Sequence, residues 1–182
     1  MLRFGLLCWK KVKQPSNALR FTIYKESGYP ALFGVILFAS IVEIVAMHFM
    51  LIHYSKVAAL VVSIISVYGT IFIVSDLSAV LKRPVLILEN QILLRTGFRW
   101  RALVNKNNIA SIVKIKEGFE PADTCFRGGI LKGNTNILFT FKHPVSVERI
   151  YRKPLSVNTI MMSIDQADEF IAKSGIDTVT PS

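Results

Sequence analysis

Apolar residues crowd into two unbroken runs early in the chain. They are PALFGVILFASIVEIVAMHFMLI, from Pro30 to Ile52, and VAALVVSIISVYGTIFIVSDLSAV, from Val57 to Val80, with only His53, Tyr54, Ser55 and Lys56 between them. Each run is apolar on every side rather than along one stripe. Each also reaches the roughly 20 residues, at about 1.5 Å rise apiece, that cross a hydrocarbon core. The pattern therefore predicts a transmembrane helical hairpin over residues 30–81.

From Pro84 the period changes to that of strands. PVLILENQILLRTGFRWRALV reads as two or three short strands, with a hairpin turn at Glu89, Asn90 and Gln91 and a break at Thr96 and Gly97. Lys106, Asn107 and Asn108 mark another loop. In the strand that follows, Ile112, Lys114 and Lys116 face one side and Ser111, Val113 and Ile115 the other. Gly118 to Thr135 is the least regular stretch. Ile137–Lys142 and Val145–Arg152 read as strands joined at His143 and Pro144, and Val157–Ile164 as the last strand. Asp165 is an N-cap candidate for a closing helix with Ala167, Phe170 and Ile171 on its apolar side, and Gly175 ends it. The class is α+β: an apolar helical hairpin, then antiparallel strands, then one C-terminal helix. Earlier in the chain, turn-forming clusters at residues 14–17 and 27–30 bracket ALRFTIYKE, which suits either a strand of the later sheet or a surface helix.

Charge gives the hairpin an orientation. The chain has 182 residues, 52% of them hydrophobic, and a formal net charge of +10. Residues 1–29 carry Arg3, Lys10, Lys11, Lys13, Arg20 and Lys25 against the single acid Glu26, and Lys82 and Arg83 follow the second run, whereas the short loop has only Lys56. The positive-inside pattern predicts a multi-pass protein of the cell membrane, with both termini cytoplasmic. Four segments result: a basic N-terminal segment (1–29), the hairpin (30–81), a cytoplasmic β domain with its helix (82–175) and a tail (176–182). Phe4 to Trp9 is too short for a signal-peptide core, and Leu2, Leu6, Trp9 and Val12 suit an interfacial segment instead. Basic residues beside a membrane attract anionic lipid, so the bilayer rather than nucleic acid is the expected partner. Cys8 and Cys125 are too far apart for a zinc signature, and their cytoplasmic setting disfavours a disulfide.

Polar residues inside the apolar runs are the first candidates for function: Glu43, His48, Ser66, Tyr68, Thr70 and Asp76. Glu43 precedes Ile52 by nine residues, at the depth where Ser66, Tyr68 and Thr70 of the second run descend. A carboxylate there costs about 3 kcal/mol on insertion scales, so it is neutral or partnered. Two readings follow: a hydrogen-bonded lock between helices or copies, and a proton or ion relay through Glu43 and His48. Glu43, His48 and His53 recur every five residues, which turns a helix by about 140° per step and scatters the side chains, so no metal site is expected. Asp76 lies near the boundary, close to Lys82 and Arg83.

Arg83 to Glu89 (RPVLILE), Ile92 to Gly97 (ILLRTG), Trp100, Ile109 to Ile112 (IASI) and the helix from Asp165, all after a two-helix hairpin, carry a resemblance. Over residues 30 to 175 the chain resembles bacterial membrane proteins with a pleckstrin-homology-like (PH-like) domain. That resemblance implies a curved antiparallel sheet or partial barrel closed by the C-terminal helix, used for binding rather than catalysis.

In the β domain, Arg127, Gly128, Gly129 and Lys132 suit an anion- or headgroup-binding concavity in an otherwise flexible loop. Arg99 and Arg101 form a second basic cluster, with Arg95 nearby and Phe98 and Trp100 on the opposite face. FRGGILKGNT matches no nucleotide-binding pattern, no G-x-S-x-G or H-E-x-x-H occurs, and no cofactor is expected. The expected function is a non-catalytic, membrane-tethered module for anionic lipid or a partner membrane protein, forming homo-oligomers through its spans. An accessory or ion-translocating subunit using Glu43 is the alternative, and a lipid-directed membrane enzyme, for which no residues present themselves, is the third.

Overall fold

The computed structural model describes residues 18–115, 125–129, 135–150 and 152–176. The expectations for the N-terminal interfacial segment, the tail after Ile176 and Lys132 lie outside these residues. The described chain divides into two compact units, residues 30–79 and residues 18–29 with 80–176.

The first unit is a helical pair. Helix α1 spans Tyr29–Ile52 and α2 spans Lys56–Lys82, within two residues of the boundaries the apolar runs predict. Pro30 sits in the first turn of α1, where its missing N–H is no loss. Both helices are long and apolar enough to cross a membrane, and their surfaces are almost wholly exposed. Between residues 33 and 51 of α1 the less exposed positions are 33, 37, 40, 44, 47, 48 and 51, and between 59 and 73 of α2 they are 59, 62, 63, 66, 69, 70 and 73, each set spaced as one helical face, while Tyr29 and all of residues 75–80 are also shielded.

Among the described residues, the second unit holds an eight-stranded sheet, a 3-10 turn at Lys106–Asn108 and one short α-helix. In chain order the strands are β1 (Leu19–Phe21), β2 (Val85–Ile87), β3 (Gln91–Thr96), β4 (Trp100–Asn105), β5 (Ile109–Lys114), β6 (Cys125–Arg127), β7 (Ile137–Arg149) and β8 (Arg152–Met162), and α3 is Ala167–Ser174. Their order in the sheet is β1-β2-β3-β4-β7-β8-β6, with β5 on the same long strand β7. The expected antiparallel-rich sheet followed by a C-terminal helix is present, and the sheet is not closed. One pair, β6 with β8, is parallel, inside the stretch read as a loop. The segment before α1 turns out to be a strand, β1, paired with β2.

Alternation is clean where strands are regular. Ile92, Leu94 and Thr96 of β3 and Trp100, Ala102 and Val104 of β4 point inward and are buried. On β5 the expected alternation fails: Ile109 and Ile112, three apart, are its buried residues, because the pairing with β7 shifts register between Ile109 and Ser111. His143 and Pro144 do not separate two strands either. Asn108 carries β7 through them by accepting from His143 N–H at 2.9 Å and donating to its carbonyl at 3.0 Å, as a neighbouring strand would. The register shift of β7 against β8 between Thr140 and Val145 accommodates the proline, which has no N–H to give.

The core centres on α3. Phe170 is fully buried and meets Phe21 of β1 and Phe139 of β7 edge to face, at 5.0 and 5.9 Å between ring centroids. Asp165 does not cap this helix. The residue before the helix is Gln166, in the left-handed region at φ 56°, while the buried Asp165 carboxylate accepts three backbone N–H bonds from Tyr24, Lys25 and Glu26 at 2.9 to 3.1 Å. Its own N–H donates to Thr22 O. A single side chain thus fastens the turn after β1 to the start of α3.

Candidate functional site

In the sheet unit, the β3–β4 register sets Arg95 opposite Arg101, and the β4–β7 register sets Arg101 opposite Glu148. Arg101 is neutralised there, its Nε donating to Glu148 Oε2 at 2.7 Å. With 67% and 57% of the two side chains exposed, the pair contributes at most about 1 kcal/mol. Arg95 is placed differently. Its Nε donates to Pro84 O at 2.8 Å, while its Nη2 is buried without a hydrogen-bond partner among the described residues. Burial, and secondarily the positive charge of Arg83, push Arg95 down to about 10, below the usual arginine range. The Arg83 guanidinium stacks over the Phe98 ring at 4.6 Å, a cation–π contact that orients it.

Local sequence explains this arrangement. Gly97 allows the tight β3–β4 turn, with φ +53° and a Cβ that would lie 2.9 Å from Val80 Cγ2. Because residues 97–99 form that turn, strand alternation begins only at Trp100. Phe98 consequently carries Arg83 instead of joining Trp100 in the core, and Arg99 is exposed. Pro84 O orients one guanidinium and the Phe98 ring the other, and the charge of Arg83 bears on Arg95; guanidinium donors of this kind match the geometry of a tetrahedral oxyanion.

Gly128 serves a different end. Its N–H donates to Met161 O at 2.7 Å, and its carbonyl accepts from Thr96 Oγ1 at 2.8 Å and Trp100 Nε1 at 3.0 Å. The Trp100 indole lies so close that a Cβ on residue 128 would sit 2.2 Å from Cζ2. The glycine makes room for tryptophan, and its amide is not open to an anion. Gly129 is half-buried and Arg127 is exposed on β6. Arg101 is held by Glu148 and Arg99 and Arg127 are exposed, whereas the cation whose charge bears on Arg95 is Arg83, signalled in sequence only by its nearness to the end of the second apolar run.

In the helical unit, a hydrogen bond joins α1 to α2 between His48 Nδ1 and Ser63 Oγ, 2.8 Å apart. Glu43 does not meet the polar residues expected for it. Thr70 Oγ1 donates to Ser66 O within its own helix, Tyr68 is 57% exposed, and Glu43 is exposed with no hydrogen bond or ion pair among the described residues. Asp76 is partly buried, and His53 Nδ1 donates to Phe49 O at 2.9 Å. No three His, Cys, Asp or Glu side chains come together among the described residues.

Compared with protein-family models, with curated proteins and with solved structures, the chain matches none.

Proposed function

We propose that the chain is a membrane-tethered binding module whose two helices cross the cell membrane as a hairpin, with a PH-like sheet unit at the cytoplasmic surface that reads the phosphate of an anionic phospholipid. The observation that carries this reading is Arg95, whose Nη2 is buried with no hydrogen-bond partner among the described residues and whose charge is opposed by burial and by Arg83. An anion between the two guanidiniums would relieve that opposition. The sequence supports the source of the anion: Arg83 follows the second apolar run by three residues, so it lies at headgroup level if that run spans. The open sheet with its C-terminal helix supports the PH-like reading in its coarse outline.

Native mass spectrometry of the full chain in detergent tests the proposal, with phosphatidylglycerol, phosphatidylcholine and inorganic phosphate as probes. Phosphatidylglycerol should be retained over phosphatidylcholine. Arg95→Met or Arg83→Met should each lower its affinity about fivefold, the equivalent of about 1 kcal/mol per basic residue at a membrane surface. Binding that does not distinguish the two lipids, or that survives both substitutions, would overturn it. Retention of inorganic phosphate alone would identify a soluble anion instead.

A further inference from the structure

The carboxylate of Glu43 poses a problem that the helical pair does not solve by itself. Glu43 lies on the exposed surface of α1, nine residues and so about 14 Å from its end at Ile52, and has no partner among the described residues. A glutamate side chain reaches only a few Å and cannot bring its head to water from that depth. Protonation removes the charge but leaves one O–H donor and one carbonyl acceptor facing hydrocarbon.

We infer that a second copy of this chain covers Glu43, the two α1 helices packing in parallel along the seam Leu32, Ile36, Ala39, Glu43, Ala46 and Met50, with the two Glu43 carboxyls hydrogen-bonded to each other. This rests on the reading that the helices span. All six residues are exposed, and their spacing alternates four and three, the 3.5-residue period of a left-handed helix pair. Ala39 and Ala46 lie one turn to either side of Glu43, so nothing larger than a methyl group keeps the backbones apart at its level. A two-fold axis along the membrane normal sets identical residues at identical depth. The carboxylic acid is self-complementary there: each copy donates one O–H and accepts one, and no counter-charge is needed. A partner carrying a basic residue would have to match this depth independently, whereas a second copy does so by symmetry.

Single cysteines in the full chain, with Cys8→Ser and Cys125→Ser, test the seam by oxidative crosslinking in native membranes. Ala39→Cys and Ala46→Cys should crosslink, while Phe38→Cys and Val45→Cys, also exposed but on the far side of α1, should not. Glu43→Gln, which keeps a donor and an acceptor, should retain the Ala39→Cys crosslink, and Glu43→Leu should lower it about fivefold or more. An alkaline carbonate wash separates the two levels of the argument. Chains that stay in the membrane without crosslinking at the seam, or that crosslink equally with leucine at position 43, overturn the pairing and leave the spanning reading intact. Chains released by the wash overturn both.

Discussion

Asp165→Asn is the most informative perturbation of the sheet unit, because one buried carboxylate holds two distant segments together. Oδ2 accepts from Tyr24 N–H at 3.1 Å and Lys25 N–H at 2.9 Å, and Oδ1 accepts from Glu26 N–H at 2.9 Å. Asparagine keeps one oxygen, so at least one of these bonds becomes a donor facing a donor and the others lose their charge. A hydrogen bond to a charged group contributes about 1.5 to 3 kcal/mol and a neutral one about 1, so the local loss is about 3 kcal/mol after relaxation. With Asp165 only 1% exposed, water does not readily replace the lost acceptor. Hydrogen exchange of the full chain in detergent reads the effect. Amides of residues 19–26 should exchange about a hundredfold faster, while those of β3 and β4 change little, since local opening scales with the free energy that resists it. Unchanged exchange at residues 24–26 would refute the idea that this carboxylate secures the turn.

Two further substitutions probe the other contacts. Gly128→Ala should lower the unfolding free energy by about 3 kcal/mol, the upper end for overpacking, because its methyl group would lie within 3 Å of three Trp100 ring atoms; a melting temperature and tryptophan emission equal to the wild type would contradict that close approach. A double-mutant cycle of His48→Ala and Ser63→Ala should give a coupling of about 0.6 kcal/mol in a detergent unfolding assay, typical of hydrogen bonds between membrane helices, and additive effects would show that their bond does not form.

What could be read from sequence follows the range of the interaction involved. The helices of the first unit appear within two residues of prediction because an all-round apolar run and Pro30 are local signals. The β3 and β4 strands were equally plain, their alternation uninterrupted. Asp165 reads locally as a helix cap, but its partners lie about 140 residues away, and no local pattern announces them. Continuity of β7 through Pro144 depends on the Asn108 side chain standing in for a strand, which again joins remote positions. The irregular stretch hid β6 because three residues show too little periodicity, and a parallel partner leaves no hairpin turn to find. At the candidate site the sequence draws attention to arginines around Trp100, yet the β4–β7 register gives Arg101 to Glu148, and the Arg95 head is set apart by burial, a long-range outcome that no local pattern announces.

Membrane topology tests the central claim most directly. In the full chain with Cys8→Ser and Cys125→Ser, a membrane-impermeant maleimide should label Tyr54→Cys, 84% exposed between the helices, in intact cells. It should label Asn105→Cys, exposed at the end of β4, only after permeabilisation. Labelling of both from outside, or of Asn105→Cys alone, would contradict a hairpin that presents the sheet unit to the cytoplasmic leaflet.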